Sequence, residues 1–174
     1  MKRPAARAAL AFLTGLALAG CTVQPLYAPQ PGAVQTPALA SVSVKPVNGR
    51  VGQKLRNHLI FILNNGSGLP ANPAYDLVLD VQSESRNAAV VQVSTSDGEP
   101  TARTITVTAS YKLSRADGTL LSGRRTAAAA SYDVSLQEFA NTRAARDAEN
   151  RAAREAAEQL RALIAADLKR AGAS

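Results

Sequence analysis

Few residues in this chain could carry covalent or acid–base chemistry. There is one cysteine, Cys21, and one histidine, His58. A single cysteine excludes a disulfide within the chain, and one cysteine with one histidine falls short of a zinc ligand set. Serines are frequent, yet none lies in a nucleophile-elbow context and no base stands ready to activate one. Asp76 and Asp80 share the polar side of one strand pattern, where solvated carboxylates are the simpler reading than a glycosidase pair. His58 lies beside an apolar helical stripe and reads as a partly packed helix residue, not a ligand. No glycine-rich phosphate loop is present. The chain reads as a non-enzyme that needs no metal and no cofactor.

Cys21 does have a chemistry, and its neighbours specify it. Lys2, Arg3 and Arg7 give a positive start, and residues 8–19 form a nearly unbroken apolar run. That run is too short for a bilayer core of roughly 30 Å, which takes about 20 apolar residues, but it suits an export signal. Its end, Leu18-Ala19-Gly20-Cys21, resembles the lipobox of bacterial lipoproteins. The resemblance implies that residues 1–20 are a signal peptide, removed after Gly20. It also implies diacylglycerol on the Cys21 sulfur and an N-acyl chain, such as palmitate, on the new amino terminus. Two or three acyl chains suffice for stable anchoring, where one is marginal. Thr22, rather than aspartate, follows the cysteine and points outward to the outer membrane.

The formal charge is +7. Loss of Lys2, Arg3 and Arg7 leaves about +4 on the mature chain of about 150 residues, the size of one domain. Aromatic residues make up 4%, too few for base-stacking platforms, and an exported chain does not suit nucleic acid. A basic surface outside the cytoplasm fits anionic head groups or an acidic protein surface.

The elements that must position these charges follow from the pattern. Residues 21–38 hold Pro25, Pro29, Pro31 and Pro37 and read as an extended tether, reaching roughly 55 Å at about 3.1 Å per residue. Residues 39–174 read as a single domain. Alternation over 39–47 predicts a first strand, ended by Pro46 and Asn48-Gly49. Val51, Leu55, Leu59, Ile62 and Leu63 recur at helical spacing, with Ile60 and Phe61 widening the stripe and Gly66 as the C′ residue. Residues 75–93, 102–113 and 119–132 alternate as strands, joined by Ser96-Asp97-Gly98-Glu99 and by Asp117-Gly118. One apolar face and one Thr/Ser/Lys face describe a sheet covered on one side. Both long strands put odd-numbered residues on the apolar face, so their paired positions sum to an even number, as with a three-residue loop or a bulge. The Asp117-Gly118 hairpin gives an odd sum, with Thr126, Ala128, Ala130 and Tyr132 on the apolar side. From Leu136 onward one long helix carries an alanine-rich stripe, with Arg151, Glu155 and Gln159 as i, i+4 neighbours. The charge run from Arg143 to Arg161 reads as its solvated face. The predicted fold is α+β: two helices on one face of a four-stranded, largely antiparallel sheet, in the order βαβββα.

Several segments together resemble a known family. They are Pro25-Leu26-Tyr27, the helix Val51-Gly52-Gln53-Lys54-Leu55-Arg56-Asn57-His58-Leu59, and Tyr132-Asp133-Val134 through Glu138-Phe139-Ala140-Asn141. Arg146-Asp147-Ala148-Glu149-Asn150-Arg151-Ala152-Ala153 continues the series. Their order behind a lipobox resembles the lipopolysaccharide-assembly lipoprotein LptE family in its alphaproteobacterial form. The resemblance implies an outer-membrane, lipid-anchored protein whose domain lies on the periplasmic side and inside the lumen of an LptD-like outer-membrane β-barrel. It further implies that the domain plugs and assembles that barrel, binds lipopolysaccharide, and takes part in its insertion into the outer leaflet. A lipoprotein subunit of another envelope lipid-transport complex is the alternative.

Two basic patches are candidates for lipopolysaccharide phosphates. The first lies at the end that holds the Asp97 loop: Arg103, opposite Tyr132, with Arg143 and Arg146 at the start of the last helix. The second lies on the polar sheet face, where a three-residue-loop register puts Arg86, Ser110 and Arg125 in one row with Lys112 a step away. The first is preferred.

Overall fold

The computed structural model describes residues 37–92 and 98–173. In chain order the elements are α1 (Pro37–Ala40), β1 (Val42–Val44), α2 (Arg50–Leu63), β2 (Tyr75–Gln92), β3 (Gly98–Arg115), β4 (Leu120–Asp133) and α3 (Glu138–Arg170). The α+β class, four strands and two main helices are as the pattern predicts. Two details differ. A short helix, α1, occupies the start of the predicted first strand, because Ala38 and Leu39 are both drawn into the core and strict alternation would expose one of them. The sheet, ordered β1-β2-β3-β4, is mixed: β1 runs parallel to β2, while β2, β3 and β4 are antiparallel neighbours.

Periodicity decides which way each element faces. Leu77 and Leu79 on β2, Ile105, Val107, Ala109, Tyr111 and Leu113 on β3, and Ala128 and Ala130 on β4 are buried under the helices. The alanines of β4 meet Ala148, Ala152, Ala153, Ala156 and Ala157 of α3, none more than 1% exposed, so small residues on both sides let the helix lie close to the sheet. Leu160, Ile164 and Leu168 extend the same stripe. The outer face alternates as expected and bears no helix among the described residues.

α2 buries Gly52, Leu55, Leu59 and Leu63. Phe61 stays 59% exposed, so the stripe is narrower than the sequence suggests. Asn64 is the cap residue, Asn65 takes the left-handed conformation (φ 47°), and the Gly66 N–H donates to the Phe61 carbonyl at 2.9 Å. That six-to-one bond is a Schellman closure, with Asn65 rather than Gly66 at C′. Arg56 of α2 donates through Nη2 to the Val44 carbonyl at 2.8 Å and through Nε to the Lys45 carbonyl at 3.0 Å, fixing the end of β1. α2 joins α3 through an Arg50–Glu149 ion pair and through His58 Nε2 with Glu158 Oε1 at 3.1 Å.

β3 and β4 pair in an odd-sum register from Ala102↔Asp133 to Leu113↔Ser122, as the Asp117-Gly118 turn requires. The Thr119 N–H donates to Asp117 Oδ1 at 2.8 Å, and that bond holds the Asp117 carboxyl below its ordinary pKa. β2 and β3 pair with an even sum, again as predicted, from Tyr75↔Arg115 to Asn87↔Arg103. The register is nevertheless six residues away from the three-residue-loop expectation, because Gly98 pairs with Gln92 and is strand rather than turn. Irregularities between Asn87 and Ala89 and between Ala89 and Val90 cancel, so the same register resumes at Val90↔Pro100.

Candidate functional site

The register decides what stands together on the sheet's outer face. Val78, Lys112 and Gly123 form one cross-strand row, and Asp80, Ser110 and Arg125 form the next. These residues line a shallow concavity of about 560 Å³. Gly123 leaves an open slot: a Cβ there would meet only the Tyr111 carbonyl oxygen, at 3.5 Å. Val78, half exposed, stands at the other end of that row, across Lys112 from Gly123. Lys112 and Arg125 flank the slot, and neither makes an ion pair among the described residues. Two cations beside an open slot suit an anionic group at the β3–β4 side of the concavity, with Val78 and the Asp80 carboxylate on its β2 side. Val78 is an apolar residue on the polar phase of its strand, and that break in alternation was the signal for it.

Arg86 does not join this row. It pairs with Thr104, six residues along β2 from Asp80, and donates instead to Glu84, Nε to Oε1 at 2.9 Å. The hydrogen bond, then the opposite charge, holds the Glu84 carboxyl below and the Arg86 guanidinium above their ordinary values. The reason is that the Gln92↔Gly98 pairing centres the hairpin three residues earlier in the chain than the expected turn does.

The other predicted patch has a definite place. Arg103 is exposed and pairs with Tyr132, as expected. α3 runs antiparallel to β4: Arg151 Nη2 donates to the Ser131 carbonyl at 2.9 Å, Thr126 bonds Gln159, and Arg124 meets Asp167 at 3.2 Å. Residues before Arg151 therefore project toward the end of β4, where Arg103 lies. Arg143 and Arg146 are both exposed there, and the Arg143 guanidinium sits 5.8 Å from the centroid of the Phe139 ring. Phe139 is 76% and Leu136 100% exposed. Leu136 precedes the helix rather than opening it. Asn141 holds that turn by accepting from the Ser135 N–H and donating to the Ser135 carbonyl, both at 2.8 Å. Three arginines and two bare apolar side chains thus share one end of the domain. Arg151, expected beside Glu155, bonds Asp147 instead at 2.7 Å.

One buried polar cluster escaped the sequence reading. Asp167, 4% exposed, accepts from Tyr111 Oη at 2.5 Å and meets Arg124 and Arg170. Burial works to raise its pKa, but the Ser122 and Tyr111 hydroxyls and the two guanidinium charges outweigh it and hold the carboxyl low. Burial, and then the hydrogen bond to Asp167, pushes the Tyr111 phenol well up. Both Asp167 and Arg124 fall in phase with apolar stripes, which is the signal that could have found them. The described residues contain no group of His, Cys, Asp and Glu able to hold a metal, and no helix long and apolar enough to cross a membrane. Cys21, Thr22, the tether before residue 37 and the Asp97 loop tip lie outside the described residues.

Comparison with known proteins assigns this architecture. Residues 39–164 match the family described as LptE, lipopolysaccharide-assembly. The chain belongs to the LptE family. Its fold is similar to that of a candidate lipoprotein from Caulobacter crescentus CB15, with 28% identity and a TM-score of 0.62, over 78% of this chain and 96% of that one. A minor lipoprotein from Acinetobacter baumannii shares the fold at 16% identity and a TM-score of 0.52, over 72% and 92% of the two chains. The rare lipoprotein B from Shewanella oneidensis does so at 12% identity and a TM-score of 0.51, over 74% and 95%. Among curated proteins none matches this chain. As an LptE family member, the chain is a lipopolysaccharide-assembly protein of the cell envelope.

Proposed function

We propose that this LptE family member is an outer-membrane lipoprotein that plugs and assembles an LptD-like β-barrel and takes part in inserting lipopolysaccharide into the outer leaflet. The family match over residues 39–164 carries the reading. Residues 1–20 are the signal peptide, Cys21 carries diacylglycerol and an N-acyl chain, and the proline-rich stretch behind it is the tether. The domain acts without catalysis, through surfaces. The end bearing Arg103, Arg143 and Arg146 beside bare Leu136 and Phe139 suits a glycolipid with phosphates and acyl chains, because cations and apolar area are presented together.

Depletion of the chain in its own cells tests the whole reading. Lipopolysaccharide should vanish from the cell surface and accumulate inside the envelope; normal surface display on full depletion would sink the proposal. Co-purification separates it from the alternative. A large outer-membrane barrel should come down with the chain, whereas an inner-membrane ABC transporter would favour another lipid-transport complex. Cys21→Ala should release the chain from the membrane fraction.

A further inference from the structure

Three charges of both signs line the concavity on the sheet's outer face, and none pairs with another. Asp80 of β2, Lys112 of β3 and Arg125 of β4 are all exposed and make no ion pair among the described residues. The other charges on the β2 side of this face do pair, Asp76 with Lys45 at 2.7 Å and Glu84 with Arg86 at 2.9 Å. Asp80 has a contact of 3.5 Å from Gln82 Nε2 and no cation. Opposite charges that share a cavity without touching leave room for a group that satisfies both.

The register sets what that group must carry. In the row Asp80–Ser110–Arg125 the outer two residues stand two strand spacings apart, about 10 Å at roughly 4.8 Å per spacing. Lys112 lies one row on, diagonal to both. Lys112, Arg125 and Ser110 therefore surround the Gly123 slot, while Asp80 stands across β3 beside half-exposed Val78. Two cations and a hydroxyl suit a phosphate, which offers more acceptor oxygens than a carboxylate. A bare phosphate, however, would face the like charge of Asp80. A phosphate bearing an amine two carbons away turns Asp80 into the amine's acceptor, and its methylenes meet Val78. The amine must be primary. A quaternary ammonium has no N–H to donate and is held by exposed aromatic faces. The aromatic residue in the lining, Tyr111, is 2% exposed and its hydroxyl is turned to Asp167 behind the sheet. The concavity, about 560 Å³, falls within the roughly 300–1,000 Å³ of small-ligand sites.

We propose that this concavity binds a phosphoethanolamine group, its phosphate between Lys112 and Arg125 over Gly123 and its ammonium on Asp80. Phospholipid head groups and substituted glycolipids both carry that chemistry. The site needs no barrel and is independent of the function proposed above.

Titration of the full lipidated chain in maltoside micelles with soluble head-group probes reads the site, through the Ser110 and Gly123 amide shifts in NMR. Glycerophosphoethanolamine should bind roughly tenfold more tightly than glycerophosphocholine, glycerophosphoglycerol or inorganic phosphate, the worth of one charged hydrogen bond. Asp80→Asn keeps the shape of an exposed side chain, so folding should be intact. It should weaken glycerophosphoethanolamine roughly tenfold and strengthen inorganic phosphate, inverting their order. Lys112→Gln with Arg125→Gln should abolish binding of both. Mass spectrometry of lipid that co-purifies with the chain names the source. A phospholipid or a glycolipid bearing the group, lost with Asp80→Asn, would each support the site. No shift at Ser110 and Gly123, equal binding of the ethanolamine and choline probes, or a preference unmoved by Asp80→Asn would each overturn it.

Discussion

Tyr111 donates its hydroxyl to Asp167 across the interface between β3 and α3, Oη to Oδ2 at 2.5 Å, with both side chains buried. Arg124 and Arg170 complete the neutralisation. Tyr111→Phe removes one donor from a buried carboxylate and should cost about 1–3 kcal/mol in urea unfolding at neutral pH. The pH dependence has a fixed sign on each side. The Asp167 pKa is lowered in the folded chain, so its contribution is present above the ordinary carboxylate range and lost as pH falls through the folded value. The Tyr111 pKa is raised, so its contribution is whole below the ordinary phenol value near 10 and lost as pH rises beyond it. Tyr111→Phe should therefore flatten the alkaline limb of the stability profile. An unchanged alkaline limb would mean the phenol does not titrate with folding.

The closeness of α3 to the sheet rests on residues without side-chain bulk. Ala152, Ala156 and Ala157 are fully buried, facing Ala128 and Ala130 at 5% and 9% exposure. Ala156→Leu adds three carbons where no space exists and should destabilise by about 1–3 kcal/mol, and more if the helix cannot shift. Glu155, one position earlier and exposed to solvent, is the control, and Glu155→Leu should stay within about 0.5 kcal/mol. Equal losses at 155 and 156 in thermal unfolding would remove close packing as the cause.

What the sequence disclosed tracks how strongly each feature was tied to a local rule. Ile105 to Leu113 alternate because one face of β3 is covered and the other is not, so facing could be read residue by residue. Arg103↔Tyr132 could be placed because Asp117-Gly118 closes its hairpin in the expected way. The β2–β3 register could not, since Gly98 looks like a turn residue and its pairing with Gln92 depends on the whole hairpin. Arg86 left its predicted row for that reason. The Tyr111–Asp167 cluster joins β3, β4 and α3, and no local rule links three elements. The parallel β1–β2 pairing is likewise a tertiary outcome.

Gly52 faces Val47 and Val81 from the first turn of α2. A Cβ there would lie 3.1 and 3.3 Å from the two Val47 methyl carbons, closer than ordinary contact. Alanine favours a helix interior over glycine by about 1 kcal/mol, so contact and propensity oppose each other. Gly52→Ala should be net destabilising by about 1 kcal/mol, and in a Val47→Ala background it should become stabilising. A double-mutant cycle by denaturant unfolding reads the coupling. The same effect in both backgrounds would show that Val47 is not the obstacle.

The two basic surfaces differ in what accompanies their charges, and that difference can be measured. At the α3 end, Arg103, Arg143 and Arg146 stand with Leu136 and Phe139 almost bare; on the sheet, Lys112 and Arg125 flank the Gly123 slot, and half-exposed Val78 lies beyond Lys112. Arg103→Glu with Arg143→Glu should weaken lipopolysaccharide binding by roughly tenfold or more at low salt, since a charged contact is worth about 1.5–3 kcal/mol. Lys112→Glu with Arg125→Glu should have the smaller effect, because the sheet offers less bare apolar area. Gly123→Val separates shape from charge: its φ is not left-handed and its Cβ meets nothing closer than 3.5 Å, so folding should be intact while the slot is filled. Binding that survives the arginine reversals but falls with Gly123→Val would transfer the glycolipid site from the end of the domain to its sheet.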